Sequence, residues 1–221
     1  MKRIIDLTHT IDPEKVQRKF SIERVGADTV NHNVVRMEGQ WYIMTNISMV
    51  SHIGTHIEVP FHLYRSGLDL AQEPIDTFYG EAIVLDFSSI QKRVPITAEM
   101  CQEAIEKAGG IRKGDIVLCN LGYADRYGTD EYSQSPYFSE EAMEILVNSG
   151  MKMMGVDAGG VEIPMSEEHV NHDRLFSRNI PLIENVANLN ALPKGRFEVS
   201  AFPYPIRGVE AFIVRVVAYV D

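Results

Sequence analysis

Ser51-His-Ile-Gly-Thr-His-Ile-Glu-Val-Pro-Phe-His62 is the stretch on which the reading of this chain turns. It sets His52, His56, Glu58 and His62 within eleven residues, and three of the seven histidines of the chain lie in it. Pro60 disfavours helical backbone at Val59 and has no N–H to give to a helix. Gly54 weakens a helix as well. Extended chain is therefore favoured, and a helical face shared by His52 and His56 is the less favoured alternative. Side chains alternate along a strand. Positions 52, 54, 56, 58, 60 and 62 then share one side, which reads His, Gly, His, Glu, Pro, His. The other side carries Ile53, Thr55, Ile57, Val59 and Phe61, which is mostly core material. On this reading the polar groups face a cavity, and Gly54 leaves room between the first two of them. Neutral imidazole and carboxylate are preferred ligands of a catalytic divalent ion such as zinc.

Outward from this stretch, the chain alternates apolar strands with capped helices. Residues 3–7 read as a short strand. Residues 10–32 are polar and irregular, and read as a long loop or excursion over the site or onto a neighbouring subunit. Strand-like stretches follow at Asn33-Val-Val-Arg-Met37 and from Trp41 to Ile47. Tyr64 to Thr77 is turn-rich. Glu81 to Phe87 reads as a buried strand, and Thr97 to Lys107 as a helix with Thr97 as N-cap and Gly109-Gly110 as its stop. Asp115 to Asn120 is a second buried strand, and residues 122–137 form a tyrosine-rich loop. Ser139 to Asn148 is a second helix, and Met151 to Asp157 a third strand. This order argues for an α/β middle section with parallel neighbours. Residues 158–168 read as a loop, His169 to Arg178 as a short helix, and Ile180 to Leu189 as a short apolar strand. Phe197 to Phe202 and Ala211 to Val220 are β-rich, the last read as one strand. With 221 residues the chain suits a single domain, residues 1–221.

Composition narrows the class. Hydrophobic content of 45% and charged content of 24% are those of a soluble globular protein. A net charge of -10 argues against nucleic acid as a partner and provides no basic patch for a membrane. Cys101 and Cys119 sit in no CxxC and read as buried reduced thiols. The N-terminus lacks the apolar run of a signal peptide, so a cytoplasmic location is expected by default.

Three more polar positions stand out. Glu184 lies among Leu182, Ile183 and Val186, where a carboxylate is expensive to bury unless paired or metal-bound. His172 lies in the short helix-like run. Asp157 ends a strand, and ligands bind at the carboxyl ends of strands in open α/β sheets. Each also has a plain structural explanation: Glu184 half exposed, Asp157 capping the next turn.

The stretch 52–62 resembles the HxGTHxDxPxH signature of the cyclase-type metal-dependent hydrolases, a family that includes bacterial kynurenine formamidase and isatin hydrolase. Ile5-Asp-Leu-Thr-His9, Gly155-Val-Asp157, and His172 followed by Leu182 to Leu189 resemble further segments of that family in the expected order. The resemblance implies a single swivelling β/β/α domain of the α/β class. It implies that His52, His56 and Glu58 bind a first metal ion. Glu58, His172 and Glu184 would bind a second, with Glu58 bridging and His62 serving as general acid/base. Zinc, one or two ions per chain, is implied, with manganese as the alternative. A homodimer or homotetramer is implied as well. Glu58 stands where the family pattern has Asp, so its carboxylate reaches one methylene further. Leu121-Gly122-Tyr123 replaces a common Thr-Gly-Trp, and Ala158-Gly-Gly160 replaces a Ser-containing stretch. These two changes touch the expected substrate pocket and count against carrying over formylkynurenine or isatin as the substrate.

The expected chemistry is hydrolysis of a formyl or cyclic amide of a small molecule by metal-activated water, with His62 passing a proton to the leaving nitrogen. Trp41, Phe61, Tyr123 and Asp157 are the candidate substrate-binding residues. The same Lewis acid would also serve a lyase, a dehydratase or a lactone hydrolase. A non-catalytic metal- or small-molecule-binding protein is the third reading.

Overall fold

The computed structural model describes residues 2–16 and 18–221. The chain opens with β1 (Arg3–Asp6) and then leaves the main body. That excursion consists of β2 (Phe20–Gly26), the single turn α1 (Ala27–Val30) and β3 (Ile43–Met49). β2 and β3 form a separate antiparallel ribbon in which Ile22 pairs with Ile47. So the segment 10–32, expected to be irregular, holds a strand, and Asn33–Met37, expected to be extended, is not one. Cross-strand pairing with β3 decides this, a partner that local polarity does not announce.

The chain returns in β4 (His56–Glu58) and β5 (Tyr79–Asp86), followed by the two-residue β6 (Pro95–Ile96) and helix α2 (Ala98–Lys107). Thr97 caps α2 by accepting the Met100 N–H, and Gly109 and Gly110 end it in the left-handed region. β7 (Ile116–Asn120), β8 (Tyr137–Phe138) and α3 (Glu140–Asn148) follow, with Ser139 capping α3. Then come β9 (Met153–Val156), α4 (Val170–Phe176), β10 (Leu182–Glu184), β11 (Phe197–Ser200), β12 (Ala211–Ile213) and β13 (Val217–Val220).

Nine of these strands make one sheet in the order β1-β13-β11-β5-β7-β9-β10-β4-β12. β5, β7, β9 and β10 are parallel, as the alternating strand–helix order requires; the flanking strands are antiparallel. The central strands are buried on both faces. Ile83, Leu85, Val117, Cys119 and Val156 pack under α2, α3 and α4, against Cys101, Met143, Leu146 and Leu175. Ala82, Ile116, Leu118 and Met153 point the other way, into a second core with Leu7, Ile57, Val199 and Ala218. Both faces covered explains why β5 and β7 read as continuous apolar runs.

The expected single C-terminal strand is broken at residues 214–216. β12 lies at one end of the sheet order and β13 next to the other end. Three linking residues span roughly 10 Å at full extension, so the sheet is curled until its ends nearly meet. Leu7 N–H donates to Val216 O at 2.9 Å, and Ala187 N–H donates to Leu7 O at 2.9 Å. These bonds stitch the N-terminal segment across the gap. Among the described residues, no helix is long and apolar enough to cross a membrane.

Candidate metal centre

β4 lies between β10 and β12. Its register sets Glu184 opposite His56 and Leu182 opposite Glu58. Ile57 and Ile183, also paired, point into the core inside the curl. By the alternation of strand side chains, His56, Glu58 and Glu184 therefore share the face covered by α4, which carries His172. The expected uninterrupted extension from 52 to 62 is limited to residues 56–58. Gly54 turns the chain with φ +60°, and Pro60–His62 forms a 3-10 turn. Nor does Gly54 hold open a space between ligands, since a Cβ there would meet Ile11 Cγ1 at 2.7 Å. Its function is conformational: the turn aims its carbonyl at His56 Nδ1, 2.9 Å away, and at Asn185 Nδ2, 2.8 Å away.

The site residues expected from the sequence converge in two groups that share Glu58. His52, His56 and Glu58 form one group, and Glu58, His172 and Glu184 the other, with potential ligand atoms within 4.8 Å of one another in each. Glu58 Oε1 faces His52 Nδ1 at 2.6 Å and His56 Nε2 at 3.2 Å. Its Oε2 faces His172 Nε2 at 3.4 Å. Glu184 lies across both groups, with Oε2 3.5 Å from His56 Nε2 and Oε1 3.5 Å from His172 Nε2. A Cβ on Gly160 would stand 3.2 Å from Glu184 Oε1, so a glycine leaves that carboxylate its place.

These residues suit a divalent ion. Glu58 is buried, yet its Oε2 makes no hydrogen bond. A buried carboxylate oxygen left without a hydrogen bond is costly, and a cation between the two groups would satisfy it. The donor set is imidazole and carboxylate throughout, as zinc and similar ions prefer. Electrostatics agree. Burial pushes the Glu58 carboxyl up, but the facing imidazoles of His172, His52 and His56 outweigh it and hold it well below the usual carboxylate range. Burial pulls His172 down, while Glu162, Glu184 and Glu58 push it up to about 12. The cluster thus favours positive charge at the His172 and His56 imidazoles, at nitrogens for which a proton and a metal ion compete.

His62 belongs to neither group. Its ring centroid is 4.5 Å from that of His52 and 6.3 Å from that of His172. Burial lowers its pKa, with Glu58 acting in the opposite direction.

The candidate substrate-binding residues are in neither ligand group. Trp41 is 79% exposed beside the outlying ribbon. Phe61 packs against the core inside the curl. Tyr123 lines a separate cleft of about 360 Å³ with Ser88, Lys92, Arg126 and Gln134, and its hydroxyl donates to Gln134 O at 2.9 Å. Asp157 accepts backbone N–H groups from Leu121 at 2.6 Å, Tyr123 at 2.9 Å and Ala124 at 3.3 Å. Both its oxygens are engaged in shaping the turn after β7, not the turn that follows Asp157 itself. The sequence reading missed Glu162, Glu210, Asn185 and Tyr132. Asn185 has φ +58°, and its Oδ1 accepts the Tyr132 hydroxyl at 2.6 Å. An Asn directly after Glu184 was the available signal, since Asn tolerates the left-handed region.

Comparison with known proteins places these features in a family. A family model described as a putative cyclase matches residues 5–163. A kynurenine formamidase of Erythrobacter litoralis is 27% identical over 98% of this chain and 93% of its own length. Among solved structures, isatin hydrolase A from Ralstonia solanacearum superposes with a TM-score of 0.86 at 23% identity, covering 100% of this chain and 92% of that one. Isatin hydrolase A from Labrenzia aggregata, bound to benzyl benzoate, gives 0.84 at 24% identity, over 99% and 94%.

Proposed function

The chain belongs to the putative cyclase family, and from that premise we propose that it is a metal-dependent hydrolase cleaving an amide bond of a small molecule. One observation carries the reading: each oxygen of the buried Glu58 carboxylate faces a different set of imidazoles, with Glu184 spanning both. Two ions fit this arrangement, one on His52, His56 and Glu58, the other on Glu58, His172 and Glu184. Bound there, divalent ions supply Lewis acidity, making water ionise near neutral pH and polarising a carbonyl oxygen. The kynurenine formamidase and isatin hydrolase relatives bear names of amide-hydrolysing enzymes, which favours amides over other carbonyl substrates. His62, surplus to both groups, protonates the amide nitrogen as it leaves.

Zinc is the proposed ion, with manganese as the alternative. We place the protein in the cytoplasm and treat residues 1–221 as one domain. A homodimer or homotetramer is supported by the β2–β3 ribbon, because an isolated two-stranded ribbon is marginal in water. Its Ile47 is 61% exposed, and Val35 and Trp41 nearby are more so. A second copy would cover them.

The test is turnover of formyl anilides and cyclic amides by protein purified without chelator, beside lactones and hydroxy acids. Amide cleavage that stops on chelation and returns with zinc or manganese is expected. A metallated protein that leaves amides intact and dehydrates a hydroxy acid would refute the assignment.

A further inference from the structure

We propose that Glu162 and Glu210, which have no part in the two ligand groups above, are positioning residues. They determine which ring nitrogen of His172 and of His52 faces the centre. The inference rests on the metal-centre reading. An imidazole that ligates a cation through one nitrogen carries its proton on the other, and that proton needs an acceptor.

Each of the three imidazoles has such an acceptor behind it. For His56 it is a neutral carbonyl. Nδ1 donates to Gly54 O at 2.9 Å, and Asn185 Nδ2 donates to the same oxygen. The 3.3 Å approach of Asn185 Nδ2 to His56 Nδ1 is then a donor beside a donor, not a bond. Nε2 is left facing Glu58 and Glu184.

For the two outer histidines the acceptor is a carboxylate. Glu162 Oε1 lies 2.9 Å from His172 Nδ1 and also accepts the His172 backbone N–H at 2.8 Å. One oxygen thus fixes both the ring and the main chain of the same residue. Glu210 Oε1 lies 3.2 Å from His52 Nε2 and also accepts the Ser51 hydroxyl. Glu210 itself is held, because its carbonyl accepts the Val59 N–H at 2.9 Å and its chain continues into β12 beside the ligand strand. Nδ1 of His52 and Nε2 of His172 are therefore the nitrogens that face Glu58. Among the described residues, neither glutamate has a Lys or Arg partner; their ion-pair contacts are to these histidines alone.

Glu162, His169 and His172 also come within ligand distance of one another. A cation there would have to displace the proton that His172 Nδ1 shares with Glu162, while Nε2 serves the main centre. That makes Glu162 an orienting group rather than a third ion site. A carboxylate behind a ligand imidazole also raises its basicity, and losing such a partner typically weakens metal affinity about 10- to 100-fold.

The experiment is titration of the chelator-stripped full chain with cobalt(II), read by its visible absorption, and with zinc in competition with a chromophoric chelator. Wild type is compared with Glu162→Gln, Glu210→Gln, the double variant, and Glu103→Gln on exposed α2 as control. Gln keeps an acceptor oxygen and removes the charge. We expect about 10- to 100-fold weaker binding in each single variant, a larger loss in the double, and an altered cobalt spectrum. The control should match wild type. Single variants within about twofold of wild-type affinity would overturn this inference alone. A lowered melting temperature with unchanged affinity would do the same, since it marks a merely structural role. A wild type that binds neither cobalt nor zinc would sink the metal-centre reading, and this inference with it.

Discussion

His62 reaches the edge of the cluster from the turn that ends the β4 segment, with its ring packed at 4.5 Å from His52 and 6.2 Å from Phe176. A histidine there can move a proton without being tied to an ion. His62→Ala should keep the metal content of wild type and lose about 100-fold or more in turnover, the usual worth of general acid–base catalysis. Metal analysis alongside kinetics checks this; metal loss in the variant would make His62 a ligand. At this scale the sequence was informative where a residue type was out of place. Glu184 among apolar neighbours and the crowding of His52, His56, Glu58 and His62 are costly without a common purpose. Glu162 and Glu210 carried no such signal. One lies in a polar loop and the other precedes an apolar strand, and only the fold brings them to imidazoles. Trp41, Phe61 and Tyr123 have only their aromaticity to mark them, a property shared by core, surface and pocket alike.

Elements with a complete local code were legible. α2 and α3 carry a Thr or Ser cap and a glycine stop, and β5, β7 and β9 are apolar runs of strand length between them. Elements defined by distant partners were not. β2 exists through its ladder with β3. The apolar stretch 211–220 divides because β12 belongs beside β4 and β13 beside β1 and β11, and apolarity alone cannot mark that break. The ribbon makes its own expectation. If a second copy covers it, Ile47→Asp should shift the particle to a lower mass in light scattering without changing far-ultraviolet circular dichroism. An unchanged mass would remove this face as a contact between copies.

Across the whole molecule, the curl of the sheet explains how residues from 52 to 184 share one centre. Pairing of β4 with β10 brings the two halves of the site together, and α4 closes over them. Glu73, a buried acid outside that centre, gives stability a pH dependence. Burial pushes the Glu73 carboxyl up to about 7, against a weak hydrogen bond from Asn179. The unfolded chain releases this proton near the ordinary 4.5, whereas the folded chain holds it to about 7. The native state binds the extra proton in that window, so stability from this group falls as pH rises through it and stays reduced above. Glu73→Gln should therefore gain in melting temperature over wild type more at pH 8 than at pH 5. An equal difference at both pH values would remove Glu73 as the cause.

If Glu58 joins two divalent-ion sites, metal stoichiometry will register both. Stripped protein reloaded with zinc and freed of excess should hold two ions per chain, with His52→Ala retaining one and Glu58→Ala retaining none. A Glu58→Ala variant that keeps its full complement of zinc, or a wild type that takes up no zinc, would contradict it.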